Sequence, residues 1–196
     1  MGNYPCFLRL LLIAIFLSLG IMSPGCQRKQ NISVNDETGP QQIEHFKLTQ
    51  VSEKMYLELT GEGAELTGQQ KSAVINQPEL SLRSSETMIE VTTGGEGKAE
   101  VRLNPQRQEI EEAILEGKVK LVQKDASGKK VLMQASCQKL SYHQQNRVMI
   151  MEGNPVVTRE ANSFSGEKIY YYWTENRIEI KGNVRVLVYP EKDRNP

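Results

Sequence analysis

The sequence predicts an all-β protein, an antiparallel open β-jelly roll built from repeated long strands. Three observations predict it. Apolar and polar residues alternate over many segments, the pattern apolar-x-apolar-x-Gly-x-apolar-x-apolar recurs, and short polar turn clusters separate the segments. The clearest case is "RIEIKGNVRVLV", Arg177 to Val188. A two-residue hairpin at Gly182-Asn183 would set Lys181 opposite Val184 and Ile180 opposite Arg185, mixing charge and grease on both faces. One extended strand instead puts Ile178, Ile180, Val184, Val186 and Val188 on a single face. The extended strand is therefore expected, about 11 residues and ~35 Å long.

The pattern repeats upstream. "LSYHQQNRVMIMEGNPVV" aligns with "IYYYWTENRIEIKGNVRV", so that Leu140 falls on Ile169, Tyr142 on Tyr171, Met149 on Ile178, Met151 on Ile180 and Gly153 on Gly182. "AILEGKVKLV" supplies Ala113, Leu115, Gly117, Val119 and Leu121 in the same phase. Units of about 30 residues holding two strands and two turns signal a layered or stacked β architecture.

Residues 1–25 differ from the rest. One Arg precedes an apolar run from Leu10 to Met22, followed by Ser-Pro-Gly-Cys. A run of this length suits an export signal better than a bilayer span. Gly25 before Cys26 resembles a bacterial lipoprotein cleavage box, in which Cys26 would be lipidated, although Ser23 departs from it. An uncleaved anchor starting near Phe7 and a freely secreted product are the alternatives. Either way the protein is expected in the periplasm, membrane-anchored in the first two cases. With Cys6 removed and Cys26 acylated, Cys137 would be left unpaired, which precludes a disulfide framework. Residues 26–44 are polar and read as a tether with a reach of about 20–25 Å. The β body is expected over 45–189, followed by a polar tail over 190–196.

Within the body, "KMYLELTGEGAEL" places Met55, Leu57 and Leu59 on one face before Gly61 and Gly63 re-aim the chain. "VINQPELSLRS" and "TMIEVTTGGEGKAEVRL" are further strands, punctuated by Pro78 and the 94–97 glycine cluster. "NPQRQEIEEAILEG" is rich in helix formers, yet the repeat sets Ala113 and Leu115 in strand phase, and a strand is expected. Asp125 to Gly128 should turn a hairpin, and "HQQNR", "REANS" and "WTENR" should be turns between strands. Ten to twelve strands result.

Several function classes are excluded or disfavoured. Lys+Arg and Asp+Glu balance at 24 each, so no basic surface argues for nucleic acid. His45 and His143 are isolated, and no metal-ligand spacing occurs. "GEGAELTGQQKS" lacks the Gly-Lys-Ser/Thr of a phosphate-cradling loop. Glu109, Glu111 and Glu112 read as a solvated face. The Asn31–Ser33 glycan-acceptor triplet is of little weight after a lipoprotein-like start. No enzyme, cofactor or metal is expected.

Over Val131 to Val188 the chain resembles the periplasmic lipopolysaccharide-transport family, the OstA-like domain shared by LptA and LptC. Gly153-Asn154-Pro155-Val156-Val157 and Gly182-Asn183-Val184-Arg185-Val186 match its G-N-V-x-V ends. Cys137-x-x-Leu140-x-Tyr142 and Gly166-x-x-Ile169-x-Tyr171 match its middles. The resemblance is weaker over Met55 to Val122. An anchored start and single-domain length favour the LptC-like component, which usually carries a membrane-spanning helix rather than lipid.

The resemblance implies a folded sheet with a slot for lipopolysaccharide acyl chains. It also implies two kinds of partner, a related periplasmic β-bridge protein and an inner-membrane ABC transporter. On the apolar phase, the lining would be Leu57, Leu59 and Val101, then Leu115, Val119, Leu121 and Met133. It would continue through Leu140, Tyr142, Met149, Met151, Val157 and Phe164, and end with Ile169, Tyr171, Ile178, Ile180, Val184 and Val186. The same residues would serve as the core of a closed β-sandwich, so a structural or assembly lipoprotein is the competing reading, and an enzyme acting on envelope carbohydrate is a third. Acylation at Cys26 has a direct check: globomycin should cause a larger precursor to accumulate, and Cys26→Ala should abolish labelling with radioactive palmitate.

Overall fold

The computed structural model describes residues 40–67, 71–104, 106–107 and 109–189. The signal, Cys26, most of the tether and the 190–196 tail lie outside them. All regular structure among the described residues is strand: β1 (Gln41–Ser52), β2 (Met55–Thr67), β3 (Ser72–Asn76), β4 (Glu79–Arg83), β5 (Thr87–Asn104), β6 (Glu109–Asp125), β7 (Val131–His143), β8 (Val148–Glu152), β9 (Val156–Arg159), β10 (Asn162–Ser165), β11 (Lys168–Tyr172), β12 (Arg177–Lys181) and β13 (Arg185–Leu187). Every pairing between them is antiparallel. The last residues assigned to the tether, Gln41–Glu44, are already paired in β1 with Leu66–Gly63. The helix-forming segment is strand: Ile110, Ala113 and Leu115 are buried in β6, where inward alternation outweighs local propensity.

A crease divides this sheet. Along it, the backbone takes positive φ at His45 in β1, Gln77 between β3 and β4, Gly95 in β5, Gly117 in β6, Gly153-Asn154 between β8 and β9, and Gly182-Asn183 between β12 and β13. Bulges mark the same line, between Gly94 and Lys98 in β5 and between Glu116 and Val119 in β6. A bulge bends its strand and sharpens the local twist, so consecutive strands bend in step and the sheet doubles over.

Two leaves result. The first contains β4, β9, β10, β13 and the neighbouring parts of β1, β2, β5, β6 and β7. The second contains β3, β8, β11, β12 and the remaining parts of the long strands. The Arg177–Val188 stretch is therefore neither a hairpin nor one continuous strand. β12 pairs with β11 and β13 pairs with β10, and Gly182-Asn183 carries the chain from one leaf to the other. Asn183 Nδ2 donates to Glu167 Oε1 at 2.6 Å, and the Glu167 N–H donates to Gly182 O at 2.9 Å, fixing this corner. The expected alternation was sound, but its continuity was not, because two positive-φ residues in succession end the strand.

Each leaf carries an apolar row across its strands. In the first leaf, cross-strand partners run Leu48, Leu59, Leu80, Val91, Leu121, Ala135, Val157, Phe164, Val186. In the second they run Ile43, Ala64, Ile75, Ala99, Leu115, Leu140, Met151, Ile169, Ile180. Facing partners share a side of the sheet, so each row is one unbroken strip. The middle of both rows is fully buried in one core.

The outer side is charged and paired across strands. Lys168 meets Glu152 at 2.6 Å, Lys139 meets Glu116 at 2.9 Å, and Glu112 lies between Arg102 at 3.0 Å and His143 at 3.2 Å. Such solvent-screened pairs fix register more than stability.

The crease sets a steric requirement. A Cβ on Gly61 would collide with Ile75 Cγ2 and lie 2.7 Å from Asn76 O, whereas one on Gly63 would meet nothing closer than Ile43 O at 3.4 Å. Gly61→Ala should therefore lower unfolding free energy in urea by about 1–3 kcal/mol, as overpacking does, while Gly63→Ala should change it far less.

Candidate functional site

The candidate site is the interior between the leaves, and the alternation of each strand builds it. Of the nineteen residues expected to line a slot, fourteen are buried: Leu57, Leu59, Val101, Leu115, Val119, Leu121, Met133, Leu140, Tyr142, Met149, Met151, Val157, Ile169 and Tyr171. Ten of these, among them Leu115, Met149 and Ile169, are 0% exposed because they pack on one another and on the facing leaf, so their own side chains fill the expected slot. Phe164, Ile178 and Ile180 are half-buried. Val184 and Val186 are exposed, at 52% and 49%.

The exposure gradient has a cause in the topology. β12 and β13 each have a partner on one side only, as does β1 at the other end of the sheet. The interior is thus covered in the middle and uncovered toward the C-terminal edge, where Leu187, Val188 and Tyr189 are exposed too. This edge is where the roll is open.

The aromatic run separates by face. Tyr171 points into the core, while Tyr170 and Tyr172 face outward under Lys181 and Arg177, at 4.8 and 3.8 Å from the ring centroids. Trp173, in the same phase as Tyr171, is buried as well. Sequence reasoning missed much of the central core, including Ile75, Leu80, Leu82, Ile89 and Val91. Their signal was present in "AVIN", "ELSLR" and "MIEV", which alternate over fewer residues than the downstream repeats. It missed two buried amides as well. Gln50 and Gln123 sit in inward phase among apolar neighbours.

Separate from this interior, a cleft of about 940 Å³ lies on the crease, lined by Gly94, Gly95, Glu96, Gly97, Glu116, Gly117, Lys118, Gln138 and Lys139. None of the expected lining residues contributes to it. Of its two lysines and two glutamates, Lys139 and Glu116 are paired with each other.

Fold and site together define the class of protein, a folded antiparallel sheet with one apolar inner face and an open edge. Residues 72–177 match the family model described as LptA/(LptD N-terminal domain) LPS transport protein, and the chain belongs to that family. The match takes in β3 to the start of β12, including the 72–122 region where the motif resemblance was weak. Among solved structures, the fold is similar to that of LptH from Pseudomonas aeruginosa, described as the LptA homologous periplasmic component of the conserved lipopolysaccharide transport device. The two share 18% identity over 68% of this chain and 95% of that one, with a TM-score of 0.53. No curated protein matches the chain.

Burial shapes the titration of the interior. It pushes the Cys137 thiol from its ordinary 9.0 up to about 11 and the Tyr171 phenol from 10.0 to about 12, and it raises Tyr142 as well. All three are neutral when protonated, so the fold favours their protonated forms. Their contribution is fully present below the unfolded values and is lost as pH rises through the folded ones. Urea unfolding should therefore show no dependence on these groups up to about pH 9, then a decline in stability between pH 9 and 12. Cys137→Ala should flatten the early part of that decline.

Proposed function

We propose that this chain is a periplasmic lipid-binding module that shields lipopolysaccharide acyl chains and passes them along a transenvelope β bridge. One observation carries the reading: in a member of a lipopolysaccharide-transport family, two apolar rows cross nine strands and emerge uncovered at β12–β13. A closed structural sandwich would bury both ends of such rows.

The mechanism is shielding without chemistry. A twelve-carbon acyl chain costs on the order of 9 kcal/mol to hold in water, at about 0.8 per methylene. An apolar face that runs from edge to edge lowers that cost at every position along the path. Chains would lie against the half-covered Phe164, Ile178 and Ile180 and advance by displacing core side chains. Met133, Met149 and Met151 suit such repacking, since unbranched thioethers adapt to changing neighbours. The sugars would stay outside, against the charged surface.

A passive groove gives no direction, so we assign the driving force to an inner-membrane ABC transporter. The unpaired edges of β1 and β12–β13 would dock a related periplasmic bridge protein by strand addition. Acylation of Cys26, or an uncleaved N-terminal helix, would hold the body near a membrane in the manner of an LptC-like component.

Photo-crosslinking tests the reading. A benzophenone amino acid at Ile180, and separately at Met151, should give lipopolysaccharide adducts in cells. Exclusively intraprotein products from both positions would overturn it.

A further inference from the structure

Because the strands themselves carry the chain across the crease, the leaves are joined there by covalent backbone. On the opposite side they meet through non-covalent contacts. Three contacts tie them at that far side, each roughly five residues or ~16 Å out from the crease. Gln50 of β1, in the first leaf, accepts from the Ile110 N–H of β6 in the second at 3.1 Å. Tyr171 of β11 donates to Gln123 Oε1 of β6 across the interior at 2.8 Å. The Tyr142 hydroxyl of β7 lies 3.9 Å from Met55 Sδ of β2.

These groups are chemically out of place. Gln123 is 1% exposed and stands between Ile89 and Met133 in a cross-strand row whose other members are Leu57, Leu82 and, at its β1 end, Gln50. Leu at that position would pack without the cost of desolvating an amide. Beyond Tyr171, the buried Trp173 Nε1 has no hydrogen-bond partner in the protein, a penalty that the closed arrangement bears and that exposure to water would relieve.

We infer that the side opposite the crease is a lateral seam, latched by Gln123–Tyr171 and Gln50–Ile110, which parts to admit acyl chains sideways between the leaves. This rests on the lipid-shielding reading and names the residues that gate it. The physical reason for polar latches is reversibility. An intramolecular hydrogen bond contributes only about 0.5–1.5 kcal/mol net, because water replaces it on opening. A seam of Leu and Phe would expose apolar surface whenever it opened and would stay shut. The polar pair supplies alignment when closed and little resistance to parting.

The test replaces the latch in two ways. Tyr171→Phe leaves the Gln123 amide buried without its donor, while the double variant Gln123→Leu/Tyr171→Phe makes this part of the seam apolar. Acrylamide quenching of Trp173, the single tryptophan, reports seam opening without any lipid. Lipopolysaccharide adducts from a photo-crosslinker at Met151 report entry. Tyr171→Phe should raise the quenching constant. The double variant, with equal or higher urea stability, should lower it and reduce adduct yield about fivefold, the change that roughly 1 kcal/mol in the opening equilibrium produces. Folded variants that both match the wild type in quenching and in adduct yield would overturn the latch. Wild-type protein giving no adducts from Met151 or Ile180, while the variants still shift Trp173 quenching, would instead overturn the lipid reading and deprive the gate of its cargo.

Discussion

Everything in this fold depends on keeping one face of the sheet apolar while the sheet as a whole turns a corner. An extended strand can satisfy alternation indefinitely, but a sheet that doubles over must bend all its strands at the same level. The chain does so with positive-φ residues and bulges aligned from His45 to Asn183. Contacts across the line leave little room for side chains: a Cβ on Gly166 would lie 3.0 Å from Gly182 O, and one on Gly117 would lie 3.1 Å from Gly97 Cα. The recurring glycine of the sequence motif is thus a hinge between leaves, and the repeat is the same crease crossed again.

Face assignment was the most legible property in the sequence. Ile169, Tyr171, Leu140, Met149 and Leu115 point inward where alternation placed them, because a period of two survives both bulge and corner when each leaf is read separately. Strand continuity was less legible. Over Arg177–Val188, the two arrangements weighed were self-pairing and uninterrupted extension, and the chain takes neither. The deciding partners, β10 and β11, lie upstream and are themselves split at the matching position. Long-range pairing of this kind leaves no trace in a local window.

The interior was legible in composition but not in occupancy. Periodicity identifies which residues face inward, not whether a gap remains between facing layers. Here the layers meet, and openness is confined to the C-terminal edge and to whatever motion the far seam permits. Gln50 and Gln123 could have been found only as exceptions, polar residues in a phase otherwise held by Leu, Ile and Met. Such exceptions carry most of the information about what an apolar interior does besides holding the fold together.

The aligned crease also limits how this chain can change length over evolutionary time. Deleting one residue between Gly117 and Gln123 would rotate Val119 and Leu121 outward and set Lys118 and Lys120 toward the core. The neighbouring strands could not compensate without moving their own bends. Turns at the outer ends, such as Asp125–Gly128 or Gln144–Arg147, face no such restriction. Relatives of this protein should therefore differ by insertions at those tips, while the spacing from bend to bend stays even.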